Sequence, residues 1–173
     1  MNTEKLSAGG VFTVQCFDKD GNLKWEEKNH NKVVNEGLQF MNDTFFEGSS
    51  YTAAWYVGLV TGPGAGNTYA AGDTLASHVG WTEFTDYSSP TDRGAISFGA
   101  ATLADPSVIT NGTPVDFVIS GGGGTVAGAF LTDVDTDTSG VLFSVSNFTS
   151  PGDRAVVSGD TLRVTYQFSL DAA

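Results

Sequence analysis

Apolar and polar residues alternate along many short segments of this chain, and a period of two predicts β-strands. In residues 161–170 every second residue is apolar, from Leu162 to Leu170, as in a strand with one buried and one solvated face. Glycine-rich turns such as residues 121–124 separate these segments. Further strands are predicted at residues 11–17, 23–25, 55–59, 81–84, 95–101, 114–120, 125–132 and 140–148. Roughly nine or ten short strands predict a mainly β protein, an antiparallel β-sandwich or jelly roll.

One segment departs from this pattern and predicts one short helix near residues 35–47. Four apolar residues recur there at helical spacing, namely Val34, Leu38, Met41 and Phe45. We expect this face to be buried, so that the helix covers an open end or face of the sandwich. Asn35 is the predicted N-cap, because its side-chain oxygen can accept a hydrogen bond from a free backbone N–H. Gly48 is predicted to end the helix.

The chain of 173 residues is predicted to form one domain, long enough to bury a core without metals or disulfides. Residues 1–10 are predicted to be a flexible N-terminal arm, and residues 11–173 a single β-sandwich domain. Residues 61–80 predict a long surface loop, and loops of this length are often functional. We expect the arm and this loop to contact a partner. The loop residues expected to do so are Thr61, Gly62, Pro63, Gly64, Asn67, Tyr69 and His78.

Charge narrows the classes of partner. The chain has 8 Lys and Arg against 20 Asp and Glu, a formal net charge of -12. This charge disfavours binding to nucleic acids and to anionic membranes, so the expected partner is a protein. Cys16 is the single cysteine, interpreted as a small buried hydrophobic residue in a protein that folds in a reducing cytoplasm. We find no apolar stretch suited to a signal peptide or a bilayer span, which predicts a soluble protein without a secretory signal.

The acidic residues raise the question of a metal site. Asp133, Asp135 and Asp137 alternate along one turn and could gather oxygen ligands round a hard cation. A helix-loop-helix calcium site needs glycine at its sixth position and glutamate at its twelfth, where this chain has Thr138 and Ser144. An acidic, solvated turn is the favoured interpretation, and the three aspartates stay a weak metal candidate.

Other catalytic patterns are missing from the sequence. His30 and His78 are the two histidines, and neither lies at a metal-ligand spacing from another histidine or from a cysteine. The chain has no Gly-x-Ser-x-Gly nucleophile motif. We expect His78 to hold its loop by hydrogen bonding. These observations predict a protein that is not an enzyme and that binds no cofactor.

Three tryptophans, Trp25, Trp55 and Trp81, offer another kind of binding site. Exposed together, they could form an aromatic platform for a carbohydrate. Ordinary packing in a β-sheet core is the favoured alternative, because aromatic residues in β proteins are mostly buried.

Several motifs together resemble small virion proteins of tailed bacteriophages. The hairpin sequence Val-Gln-Cys-Phe-Asp, residues 14–18, is followed by Gly-Asn-Leu-Lys-Trp, residues 21–25. The remaining motifs are an Asn-x-Val-x-Asn-x-Gly-Leu helix at residues 31–38, Trp-Tyr-Val-Gly-Leu at 55–59, and matching segments at 73–78, 80–83 and 159–162. The resemblance covers most of the chain.

This resemblance implies a capsid cement or decoration protein of jelly-roll type. Such a protein would bind the outside of the major capsid protein shell and clamp its subunits together, without catalytic residues. It implies a homo-oligomer, dimer or trimer, made in the host cytoplasm and located on the capsid surface of the virion. The alternatives are a tail or fibre component, or a carbohydrate-binding jelly roll that acts at the host surface.

Overall fold

The computed structural model describes residues 6–48, 51–149 and 152–172. Thirteen strands and one α-helix, α1 (Asn35–Asn42), occur in these residues. The strands are β1 (Leu6–Phe17), β2 (Leu23–His30), β3 (Lys32–Val33), β4 (Trp55–Thr61), β5 (Glu83–Phe84), β6 (Tyr87–Ser89), β7 (Gly94–Ile96), β8 (Ser107–Thr110), β9 (Val115–Ile119), β10 (Gly124–Thr132), β11 (Leu142–Asn147), β12 (Arg154–Val156) and β13 (Thr161–Ala172).

The strands form two antiparallel sheets. Sheet A has the order β2-β1-β13-β9-β6, and β8 also pairs with β13. Sheet B has the order β3-β11-β10-β4-β5, with β12 paired to β10 and β7 paired to β4. The prediction of a mainly β, antiparallel sandwich with one short helix is confirmed.

The main core lies between the two sheets. In β1 the residues Phe12, Val14 and Cys16 are fully buried, and each lies opposite a fully buried residue of β13. Phe12 and Tyr166 pack with ring centroids 4.5 Å apart. Alternation in β1 and β13 therefore marked the core correctly, and Cys16 is buried as predicted.

A second core covers the outer face of sheet B. Phe130 and Val60 belong to it, whereas their sequence neighbours Leu131 and Leu59 face the main core. Leu75 and Trp81 pack onto this outer face and are themselves buried. The stretch predicted as an open surface loop is thus partly a lid on the sheet, which explains why residues 126–132 of β10 are all buried.

Some predicted boundaries are wrong. β1 begins at Leu6, and its register with β13 extends to the Leu6–Ala172 pair, so residues 6–10 belong to sheet A and not to a flexible arm. The first five residues of that arm lie outside the described residues. The strand predicted at 95–101 ends at Ile96. Four short strands were not predicted, namely β3, β6, β8 and β12.

The helix occupies the predicted residues, but it packs through a different face. A π-helical turn, Asp43–Glu47, continues α1, and Gly48 ends it with a left-handed φ of 76°. Val34 takes the N-cap position, so the Asn35 cap is wrong.

The predicted apolar face of the helix is not buried throughout. Leu38 is 41% exposed and Phe45 is 73% exposed. The helix approaches sheet B through Gly37 instead, where an added Cβ would collide with the backbone carbonyl of Phe143. The predicted face is thus divided, since Val34 is buried in the second core whereas Met41 packs against the main core.

Candidate functional site

An apolar cleft lies between the helix and one end of the sandwich. Its volume is about 200 Å³. Residues from both sheets contribute to it, because β13 supplies Phe168 while β4 and β11 supply Trp55 and Phe143. Phe40 and Met41 close it from the helix side. The helix therefore borders an opening at this end of the sandwich.

The indole of Trp55 organises the wall of this cleft. Its ring centroid lies 5.7 Å from that of Phe40, 5.3 Å from that of Phe143 and 6.5 Å from that of Phe98, all in edge-to-face geometry. Aromatic pairs in this arrangement attract one another beyond the effect of area burial. The wall of the cleft is thus preformed in the unbound protein.

The rim of the cleft exposes large apolar side chains. Phe45 lines the cleft and is 73% exposed, and the adjacent Phe46 on the same π-helical turn is 87% exposed. Single exposed apolar residues are common on protein surfaces, whereas a group beside an apolar cleft is typical of an interaction site. The consecutive Phe45 and Phe46 are the sequence signal of this rim, whereas their exposure on a π-helical turn is visible only in the structure.

The rim is acidic. Asp43 and Glu47 lie on the π-helical turn beside the exposed phenylalanines, and that turn carries no basic residue. Burial raises the pKa of the Tyr51 hydroxyl in the cleft, and the negative charge of Asp133 raises it further. None of the residues described as lining the cleft is basic. The site combines an apolar interior with negative charge at its edge.

The aspartates that are the weak metal candidate, Asp133, Asp135 and Asp137, lie in a turn held by internal hydrogen bonds. Asp133 accepts a hydrogen bond from the backbone N–H of Val141 at 2.7 Å, and Asp137 accepts two from Ser139, at 2.8 Å from its N–H and 2.6 Å from its hydroxyl. The hydrogen bonds of Asp137 hold the pKa of its carboxyl below the usual value. The three aspartates are not brought together, and no group of three or more His, Cys, Asp or Glu placed to hold a metal occurs within the described residues.

The predicted contact residues of the 61–80 loop make internal hydrogen bonds. Gly62 donates its N–H to the Thr125 carbonyl at 2.8 Å, and Gly64 donates its N–H to Asp153 at 2.7 Å. Asn67 donates to the Thr61 carbonyl at 3.1 Å. These bonds fasten the loop to sheet B. Contact of Thr61, Gly62, Pro63, Gly64, Asn67, Tyr69 and His78 with a partner stays a prediction.

His78 and Trp81 together close this loop. Their rings stack with centroids 3.8 Å apart, and Nδ1 of His78 lies 3.1 Å from the Trp81 carbonyl. The expected role of His78 in holding the loop by hydrogen bonding agrees with this geometry. Trp81 is buried in the second core, whereas Trp55 lines the cleft and Trp25 packs against Phe148 and Arg154. The three tryptophans thus do not form one exposed platform.

Tyr69, which hydrogen-bonds the loop to β11, makes the free energy of unfolding depend on pH. Its hydroxyl accepts from Asn67 at 3.2 Å and donates to Asn147 at 3.1 Å, and burial raises its pKa from 10.0 to about 12. The unfolded chain releases this proton near pH 10, while the folded chain keeps it to about pH 12. The free energy of unfolding therefore falls as pH rises through this window.

We expect Tyr69→Phe to make that fall shallower, because phenylalanine has no proton to release. Urea unfolding followed at several pH values from about 9 to 12 measures it. Tyr87, whose pKa burial also raises to about 12, remains in the variant and accounts for part of the residual slope. An unchanged slope in Tyr69→Phe would show that Tyr69 ionises alike in the folded and unfolded chain.

Comparison with known proteins gave no match: no family model, no curated protein and no solved structure matches this chain. Within residues 6–48, 51–149 and 152–172, no helix has the length and apolar character needed to cross a bilayer. Function is therefore inferred from the geometry of the cleft and from the sequence motifs.

Proposed function

We propose that this protein is a structural virion protein of a tailed phage, a capsid decoration protein that binds the outside of the major capsid protein shell and stabilises it. The sequence motifs support the family, and the β-sandwich with an exposed apolar rim supports a binding role. In this proposal the protein acts as a homo-oligomer and has no catalytic function.

The exposed rim carries the proposal. Phe45 lines the apolar cleft and is 73% exposed, and the next residue, Phe46, is 87% exposed, on a protein whose net charge is -12. A large aromatic side chain held in water gains free energy when a partner covers it, about 25 cal/mol for each Å² of apolar surface removed from water. The exposed apolar surface of the rim therefore favours the state bound to a protein partner over the unbound state.

Charge supports an outer location on the particle. The formal charge of -12 repels the packaged genome, so the protein is better placed outside the shell than inside it. A symmetric shell also offers many identical sites, and an oligomer that engages several of them at once binds more tightly than one contact allows.

Co-sedimentation with particles of the encoding phage that lack this protein tests the proposal. We expect the purified protein to pellet with these shells and to saturate at a fixed ratio to the major capsid protein. Protein that stays in the supernatant across a wide concentration range would contradict it. Electron cryo-microscopy of the virion locates the chain, and density on the tail alone would favour the tail or fibre alternative.

Substitution at the rim is a sharper version of this test. We expect Phe46→Ser to weaken shell binding about tenfold or more, because aromatic anchors dominate the energetics of protein interfaces. Leu23→Ser is the matched control, since Leu23 is 54% exposed in the β1–β2 hairpin at the other end of the sandwich. Equal loss of binding in both variants would contradict a contact through the rim.

A further inference from the structure

The size of the cleft restricts what it can hold. A cavity of about 150 Å³ can hold a benzene molecule, and pockets for larger organic ligands measure about 300 Å³ or more. The cleft has about 200 Å³. It therefore suits one aromatic or large aliphatic side chain.

The wall of the cleft favours an aromatic side chain. Trp55 already meets Phe40 and Phe143 edge to face, and a further ring can extend this arrangement without moving them. Met41 adds a thioether, which packs favourably against aromatic rings.

The charge of the rim determines which residues the partner can carry beside the side chain that enters the cleft. The π-helical turn begins at Asp43 and ends at Glu47, and it contains no basic residue. Two copies of this segment facing each other would bring like charges together. A partner segment with lysine or arginine would meet opposite charge instead, so charge complementarity disfavours a second copy and favours a basic partner.

We propose that the cleft binds one aromatic anchor residue from a partner protein segment that carries lysine or arginine on both sides of the anchor. The anchor fills the space beside Trp55 and Met41, and the basic residues pair with Asp43 and Glu47 at the rim. This inference rests on the proposed function only in taking the shell protein as the source of the segment.

Methyl NMR of Met41 measures occupancy of the cleft directly. The chain has two methionines, Met1 and Met41, so methyl-labelled methionine gives a simple spectrum that Met41→Leu assigns. The probe is a synthetic nine-residue peptide with one central phenylalanine flanked by lysines. Two matched peptides replace the lysines by glutamates or the phenylalanine by alanine.

We expect the lysine-flanked phenylalanine peptide to shift the Met41 signal. Its affinity should exceed that of the alanine peptide about thirtyfold and that of the glutamate peptide about threefold to tenfold. Equal effects of all three peptides, or no shift of Met41 with any of them, would overturn the proposal. A Met41 shift that depends on protein concentration without peptide would assign the cleft to a second copy and also overturn it.

Charge reversal at the rim provides a second, independent measurement. We expect the double variant Asp43→Lys, Glu47→Lys to prefer the glutamate-flanked peptide, while Asp20→Lys, in the distant β1–β2 turn, keeps the original preference. An unchanged preference in the double variant would overturn the role of the rim charges. Because these measurements contain no shell, a failure of shell co-sedimentation alongside the expected peptide preferences would reject the decoration role and leave the cleft specificity standing.

Discussion

Replacement of Arg93 by methionine is expected to lower the free energy of unfolding by about 3 kcal/mol, because it removes the buried cation of an ion pair with the partly buried Glu83. Arg93 is 6% exposed and donates two hydrogen bonds to the Glu83 carboxylate, from Nε at 3.0 Å and from Nη2 at 2.9 Å. Its Nη1 donates to the carbonyls of Val134 and Asp137. Methionine fills similar volume but satisfies none of these acceptors.

Urea denaturation measures this loss, and two further variants identify its cause. Arg93→Lys keeps the charge but loses the bidentate geometry, so its free energy of unfolding should lie between those of the wild type and Arg93→Met. The double variant Arg93→Met, Glu83→Gln should recover part of the loss, since it removes the charge left without a partner. A change of less than about 1 kcal/mol in Arg93→Met would contradict the buried role of this residue.

This arginine also explains the acidic turn. The Arg93 guanidinium holds the Val134 and Asp137 carbonyls, and its backbone N–H donates to the Asp135 carbonyl at 3.1 Å. The turn that carries the three alternating aspartates is therefore held by Arg93, which donates hydrogen bonds to its main-chain carbonyls. Alternating carboxylates alone could not distinguish this arrangement from a metal loop, because the partner lies about forty residues away in the sequence.

The sequence was most informative where a strand has one buried and one solvated face. β1 and β13 alternate, and their buried residues Phe12, Val14, Leu162 and Val164 form the main core as that pattern predicts. The pattern is weaker for β10, since residues 126–132 are buried on both faces. Burial of the second face depends on Leu75 and Trp81, which reach sheet B through a long loop that local periodicity cannot place.

The cleft shows the same limit. Phe40, Trp55, Phe98, Phe143 and Phe168 come from five separate parts of the chain, so their meeting is a result of topology. Glycine at position 37 and the π-helical turn decide how the helix sits on this end of the sandwich. The sequence predicted the helix and its approximate place, whereas the face that packs and the exposure of Phe45 and Phe46 required the structure.

Trp81→Ala is expected to lower the free energy of unfolding by about 3–5 kcal/mol and to loosen the loop that covers sheet B. Trp81 is 3% exposed, with its ring centroid 5.2 Å from that of Phe130 and 3.8 Å from that of His78. Its Nε1 donates to the buried Asp73 carboxylate at 3.3 Å. Alanine would leave a cavity over Phe130 and one acceptor of Asp73 without this donor.

Two measurements separate the global loss from the local one. Urea denaturation gives the free energy of unfolding, and hydrogen exchange gives the protection of backbone amides in the loop, such as those of Thr68 and Asp73, whose N–H groups donate to backbone carbonyls. We expect loop amides to lose more protection than those of β1 and β13. Trp81→Phe keeps an aromatic ring over Phe130 and should lose only about 1–2 kcal/mol. Equal loss of protection in the loop and in sheet A would show that the loop and the sandwich unfold as one cooperative unit. That result would contradict the expectation that the loop, which packs in the second core, can open separately.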